Sequence, residues 1–198
     1  GMIPAGTGNS FLRDFMDISY ENAIKKTSNN NKKKVDLIEI NYFKDGKEQK
    51  QYYLNILGIG LIADILKLTN EKLKPFGPLS YHLAVLMRLF KGMNNKMILK
   101  VDNKSYELKN SALVVSNSKY TGGNMKIAPM AKTDDGKVDA IIFNEVNRRD
   151  IINIFINVFK GKHINHKKVE VFSGREISIE AEPNPLLSAE GELLGETP

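Results

Sequence analysis

The feature that most constrains this chain is a change of hydrophobic period along it. After residue 34, apolar residues gather in short strand-length runs separated by turn signals, and helical spacing is confined to two regions. Residues 35–40 alternate, Val35/Leu37 and then Ile38/Ile40, and pair with residues 51–56 across an Asp45-Gly46 turn, which predicts a hairpin. Further strands are expected at 97–101, 105–108, 112–116, 138–143, 169–172 and 176–180, with a last one near Leu187. From about Ala63 the period is helical. Leu66, Leu73, Leu79, Leu83, Leu86, Leu89 and Phe90 populate two pieces broken at Pro75-Phe76-Gly77-Pro78. Residues 149–159 carry the other helical pattern, with Ile151, Ile152, Phe155, Ile156 and Phe159 as the expected apolar face. Residues 35–198 therefore read as an antiparallel β-rich domain carrying helical insertions, an α+β arrangement.

Residues 1–34 read differently. Met2-Ile3-Pro4 is expected to end a strand, and Ala5-Gly6-Thr7-Gly8 to be a flexible turn. Asn9 or Ser10 then caps a helix running to about Asp17, with Phe11, Leu12, Phe15 and Met16 as its apolar face. A polar linker follows from Thr27 to Lys34. This stretch is expected to be the last piece of an α/β domain, joined by that linker to the β-rich one.

The chain has no cysteine, which excludes disulfides, thiolate metal sites and thiol nucleophiles and fits a reducing compartment. No run is apolar enough for a membrane-spanning helix, and no apolar h-region opens the chain, which reads against secretion. The net charge of +6 gathers at Lys25, Lys26 and Lys32 to Lys34, and again from Lys160 to Lys168. Such clusters suit solvated loops, phosphates or an anionic membrane face. No nucleic-acid partner is expected, because no Arg/aromatic interleaving accompanies the charge.

Three motifs carry candidate chemistry. In Pro4-Ala5-Gly6-Thr7-Gly8-Asn9-Ser10, glycines between a strand and a helix would offer backbone N–H groups to a phosphate. The segment is neither a Walker A loop nor a three-glycine dinucleotide pattern, so a plain βα turn competes with that reading. Lys132 to Asp139 holds Asp135-Gly136 before an alternating strand. It is either a hairpin turn or a hard-cation site where one carboxylate and nearby carbonyls hold Mg²⁺ with waters. In Glu190-Gly191-Glu192, a strand would project both carboxylates to one side, where mutual repulsion favours a general base. The competing reading is a solvent-facing acidic pair at a strand end. His82, His163 and His166 show no metal spacing, and the last two are expected to be solvated in a basic loop.

Taken in order, these pieces resemble the bacterial diacylglycerol kinase and sphingosine kinase catalytic family. Pro4 to Phe11 is similar to its Pro-x-Gly-Thr-x-Asn-Asp-Phe segment. Tyr120-Thr121-Gly122-Gly123-Asn124-Met125-Lys126-Ile127-Ala128-Pro129 followed by Asp135-Gly136 resembles its Gly-Gly-Gly-Met-x-x-Ala-Pro…Asp-Gly segment. Lys160-Gly161-Lys162-His163-Ile164 resembles another typical stretch, and Ala189-Glu190-Gly191-Glu192-Leu193-Leu194-Gly195 resembles Asp-Gly-Glu-Leu-Leu-Gly. The resemblance implies an α/β nucleotide-binding domain before a C-terminal β-sandwich, with transfer of the ATP γ-phosphoryl group to a lipid hydroxyl between them. Glu192 falls on the family's general base, and Glu190 stands where relatives have Asp. Asp135 falls on the carboxylate of a Mg²⁺ site, with the carbonyls of Lys132 and Lys137 as co-ligands. Thr7 falls on an ATP contact, with Gly6, Gly8 and Asn9 in the same segment. A lipid substrate at the inner face of the cytoplasmic membrane is implied, and a homodimer is compatible. The family's Gly-Gly-Asp-Gly-Thr loop does not occur here, Ser10 stands for Asp, and these 198 residues are expected to lack most of the ATP site. Two other readings stay open, a nicotinamide-nucleotide kinase relative and a non-catalytic lipid-binding module. The region from Leu79 to Phe90 either lines an acyl-chain channel or is simple core.

Overall fold

Turn chemistry sets the strand pairing. In the computed structural model, which describes residues 2–6, 8–30, 32–73, 75–76, 80–88, 95–109, 111–122 and 124–197, Asp45 and Gly46 have φ of 53° and 73°. A two-residue turn needs that left-handed backbone, and it folds β1 (Ile38–Lys44) onto β2 (Lys47–Tyr53) with Lys44 opposite Lys47. The pairing runs right up to the turn through a charged tip. The two strands thus sit closer to the turn than the apolar count suggested, the first beginning later and the second earlier, and Ile56 instead opens β3 (Ile56–Ile59).

The chain then forms α2 (Leu61–Leu68), a π-helical turn (Thr69–Leu73) and α3 (Ser80–Arg88). Strands β4 (Lys96–Val101), β5 (Lys104–Lys109), β6 (Ser111–Ser116) and β7 (Val138–Asn144) follow. Next come α4 (Arg148–Val158), β8 (Val169–Gly174), β9 (Ile177–Glu182), β10 (Leu186–Ala189) and β11 (Glu192–Glu196). Leu79, Leu89, Phe90 and the Gly77-Pro78 break lie outside the described residues, as do the side chains of His82 and Leu86.

All strand pairs among the described residues are antiparallel, in an eight-stranded sheet of order β2-β1-β11-β10-β3-β6-β7-β8 and a three-stranded sheet of order β5-β4-β9. The two sheets sandwich a core in which Leu57, Leu113, Val115 and Ile142 meet Met97, Leu99, Leu108 and Ala181. Each such buried side chain contributes about 1.5–3 kcal/mol. The large sheet is also covered on its outer face, where Ala112, Val114, Ile141 and Phe143 pack against Met125, Ile127, Ile154 and Val158. Burial on both faces is why β6 and β7 are continuous apolar runs instead of alternating ones. The expected antiparallel β-sandwich with helical insertions is the fold observed.

Three expectations need correction. No strand is formed by Met2-Ile3-Pro4, and the helix expected to reach Asp17 is a single 3₁₀ turn, Phe11–Asp14. Ser10 makes no side-chain cap there, whereas Ser19 accepts the Asn22 N–H and starts α1 (Tyr20–Ser28) instead. The face of α4 is also rotated from the one expected. Ile154 and Val158 are buried while Ile152, Ile156 and Phe159 are exposed, because α4 rests on the sheet edgewise along Ile151, Ile154, Phe155 and Val158.

Candidate active site

At the end of β6 the buried side chains switch from apolar to polar. Ser116, Asn117 and Ser118 are 0%, 1% and 0% exposed, so their polar atoms must find partners inside the protein. Ser116 Oγ donates to Ser118 O at 2.6 Å, and Ser118 Oγ donates to Asn55 Oδ1. Asn117 Nδ2 donates to Asp36 O at 3.0 Å and to Leu54 O at 2.9 Å, while its backbone N–H reaches Asn55 O at 2.8 Å. This polar hub joins the segments that hold the second and third motifs.

The Glu190-Gly191 pair is not in a strand. With φ of 53° and 86°, the two residues form the tight turn between β10 and β11, closed by Ala189 opposite Glu192. Being two apart therefore does not put both carboxylates on one strand face. Glu190 turns back, and its Oε1 accepts the backbone N–H groups of Leu54 (3.0 Å) and Asn55 (2.7 Å), beside the hub. It lies close enough to Tyr53 that its charge adds to burial, the larger cause, in pushing that hydroxyl's pKa upward. Glu192 opens β11 with its side chain exposed.

Asp36 links the hub to the second motif. Its N–H donates to Thr133 O at 2.7 Å, and its Oδ2 accepts the Gly136 N–H at 2.7 Å. Asp135 Oδ1 accepts the Lys137 N–H at 3.1 Å, and Asp139, raised mainly by burial, also feels the charge of Asp135. The loop is rich in hard oxygen donors, the chemistry that Mg²⁺ prefers. One of its carboxylates, Asp135, already accepts a backbone N–H, Asp36 accepts another from the loop's Gly136, and no set of three ligating side chains forms among the described residues.

From the N-terminal side, Asp14, four residues past the first motif, reaches Lys119 next to the hub. Asp14 is nearly buried, and its Oδ2 accepts the Lys119 N–H at 3.0 Å while Oδ1 lies 3.7 Å from Lys119 Nζ. Burial raises its carboxyl above the ordinary range, against the opposing pull of Lys119. Gly6 and Asn9 close on each other, the Gly6 N–H on Asn9 Oδ1 at 3.1 Å and Asn9 Nδ2 on Gly6 O. The Gly6 N–H is therefore engaged locally. Gly8 sits within the same loop, and Thr7 lies outside the described residues.

An apolar groove of about 90 Å³ runs along the outer face of the large sheet, between α2 and α3 on one side and α4 on the other. Ala112, Val114 and Phe143 form its floor, and Ile62, Val85 and Phe155 stand in its walls. The wall is close-fitting. A Cβ on Gly58 would come within 2.5 Å of Ile62 Cγ2 and 3.0 Å of Ser188 Oγ, so α2 lies directly on β3 and β10.

Residues 55–198 match the family described as "YegS C-terminal NAD kinase beta sandwich-like domain". The chain belongs to that family. It is 25% identical over 202 residues to the diacylglycerol kinase of Bacillus subtilis (strain 168), covering all of this chain and 64% of that protein. A solved structure from Bacillus anthracis strain Sterne shares 24% identity and a TM-score of 0.69, over 99% of this chain and 62% of the other. Another, a crystal structure of a diacylglycerol kinase from the same strain, has 21% identity and a TM-score of 0.63, covering 99% and 60%. The chain thus spans a little under two thirds of the relatives it matches.

Asp14, Asp36, Asn55, Asn117 and Lys119 tie these segments together through tertiary contacts. They are isolated polar residues, separated along the chain by as many as 105 positions, and only Ser116-Asn117-Ser118 after an apolar run hinted at a buried polar turn. His163 was misplaced. It is 1% exposed, its Nε2 is 2.9 Å from Ile127 O, and its ring stacks on Phe143. Burial lowers its pKa, so the neutral ring is favoured. His166 is largely covered as well, 3.5 Å from Asp150.

Proposed function

We propose that this chain is the lipid-side part of an ATP-dependent lipid kinase that transfers the γ-phosphoryl group to a lipid hydroxyl such as that of diacylglycerol. The observation that carries the reading is the apolar groove, whose α2 wall rests on Ser188, two residues before Glu190. About 90 Å³ holds only a few methylene groups, so the walls would part for an acyl chain, which would then hold its polar end toward the β10–β11 turn. There the exposed Glu192 would accept the hydroxyl proton as the lipid oxygen bonds to the γ-phosphorus and the bond to ADP breaks. Glu190, tied to Leu54 and Asn55, would fix the turn that presents Glu192. Residues 1–34 would belong to the α/β nucleotide domain, with Gly6, Thr7, Gly8 and Asn9 facing ATP, and residues 35–198 to the lipid domain. The β1–β2 hairpin supports this division, since Phe43 pairs with Glu196 in the large sheet. Mg²⁺ at Asp135 would supply positive charge that orders the loop.

The groove also bears on the nicotinamide-nucleotide kinase reading that the family description brings to mind. Such an enzyme needs a polar nucleoside site, whereas among the described residues only Thr121 interrupts the apolar lining of this groove. The testing experiment offers ATP with either diacylglycerol in detergent micelles or NAD to the longer protein containing these residues. Label transferred to diacylglycerol and not to NAD is expected. Transfer to NAD overturns the reading. Diacylglycerol binding without transfer replaces it with a non-catalytic lipid-binding module.

A further inference from the structure

The helix α4 divides its apolar residues between two faces. Ile151, Ile154, Phe155 and Val158 line the groove, while Ile152, Ile156 and Phe159 are 48%, 65% and 37% exposed. Spaced four and three apart, the exposed three form one ridge along the helix. Arg148, Arg149, Lys160 and Lys162 are exposed at its two ends. Asp150 is the only acidic side chain of α4, and it is spent on Lys168 Nζ at 2.9 Å, on His166 and on the Asn147 N–H. Glu145, exposed on the preceding turn, is outnumbered by these cations.

We propose that this outer face of α4 is a docking surface for an anionic lipid bilayer. Apolar side chains ringed by cations suit the boundary between headgroups and acyl chains, where both groups gain. A second copy of the chain fits poorly, because the same ridge laid on itself would bring the two cation sets together. The ridge also adjoins the groove. Phe159 on the outside packs edge to face against Phe155 in the groove wall, with ring centroids 5.6 Å apart. Docking on this face would therefore put the groove beside the bilayer, and the inference rests on the reading of a membrane-borne lipid substrate.

The test is sedimentation of the 198-residue chain with vesicles of phosphatidylcholine alone or mixed with phosphatidylglycerol. Binding to the mixed vesicles, weakened by salt, is expected. The Ile152→Ser/Ile156→Ser variant should lose about tenfold in partitioning, and Arg149→Gln/Lys160→Gln about thirtyfold. Ile24→Ser, on the equally exposed Ile24 of α1, should leave binding unchanged. Circular dichroism checks that each variant is folded. Wild-type binding that survives both α4 variants, or that Ile24→Ser weakens as much, overturns this inference alone. A wild-type chain that ignores anionic vesicles overturns it together with the membrane-borne substrate. Self-association abolished by the α4 variants, without vesicle binding, assigns the face to a second copy and overturns it too.

Discussion

Replacing Glu190 with alanine should destabilise the fold, although the sequence presents this residue as one half of an acidic pair. Its carboxylate accepts the N–H groups of Leu54 at 3.0 Å and Asn55 at 2.7 Å, and Asn55 is itself 7% exposed. Hydrogen bonds to a charged acceptor contribute about 1.5–3 kcal/mol each when shielded. Glu190 is exposed, so solvent competes and roughly 2 kcal/mol in total is the reasonable expectation. For a chain of this size that is a fall of about 4–8 °C in Tm. Glu190→Gln keeps an acceptor oxygen and should lose about half as much. Glu192→Gln changes an exposed side chain and should stay within about 0.5 kcal/mol of wild type. Urea denaturation followed by circular dichroism measures all three. A Glu190→Ala protein as stable as wild type, or a Glu192→Gln protein destabilised as much, would refute the division of labour between the two carboxylates.

Three further outcomes follow from the geometry. Burial holds His163 below its ordinary pKa of 6.5, so the unfolded chain takes up a proton that the folded chain refuses. The stability due to neutral His163 is then present above pH 6.5 and lost below it. The difference between wild type and His163→Gln should fall by at most about 1.4 kcal/mol per pH unit there, and a pH-independent difference would contradict it. Gly58→Ala drives a methyl group into Ile62 and should cost about 1–3 kcal/mol in urea denaturation, against a negligible change if α2 is loosely seated. Mg²⁺ should move the amide signals of residues 132–137, and Asp135→Asn should abolish that response. Unmoved signals in wild type would leave the loop a simple hairpin turn.

What could be read from the sequence was local. Asp45-Gly46 announced its turn because both residue types tolerate left-handed backbone, and the antiparallel class followed from many short strand-length runs separated by turn signals. Glu190-Gly191 has the same turn geometry, but glutamate is not a usual residue for it, so the segment read as strand. His163 sits among lysines in sequence, yet Gly161, at φ 67°, turns the chain so that the ring drops onto Phe143. Ile152 and Ile156 read as core because hydrophobicity does not tell which side of a helix meets the sheet. Asn55 and Asn117 are 62 positions apart and carry no local signal, so the hub that joins the motifs belongs to tertiary structure alone.

In the proposed reaction, Glu192 would take the proton from a lipid hydroxyl as that hydroxyl receives a phosphoryl group. The most direct measurement is label transfer from γ-labelled ATP to diacylglycerol by the longer protein, wild type against Glu192→Gln. Loss of a general base costs about 10²–10⁴ in rate, so turnover should fall by that order while ATP affinity and folding change little. A folded Glu192→Gln enzyme within about twofold of wild type would contradict the account and return the β10–β11 turn to a purely structural role.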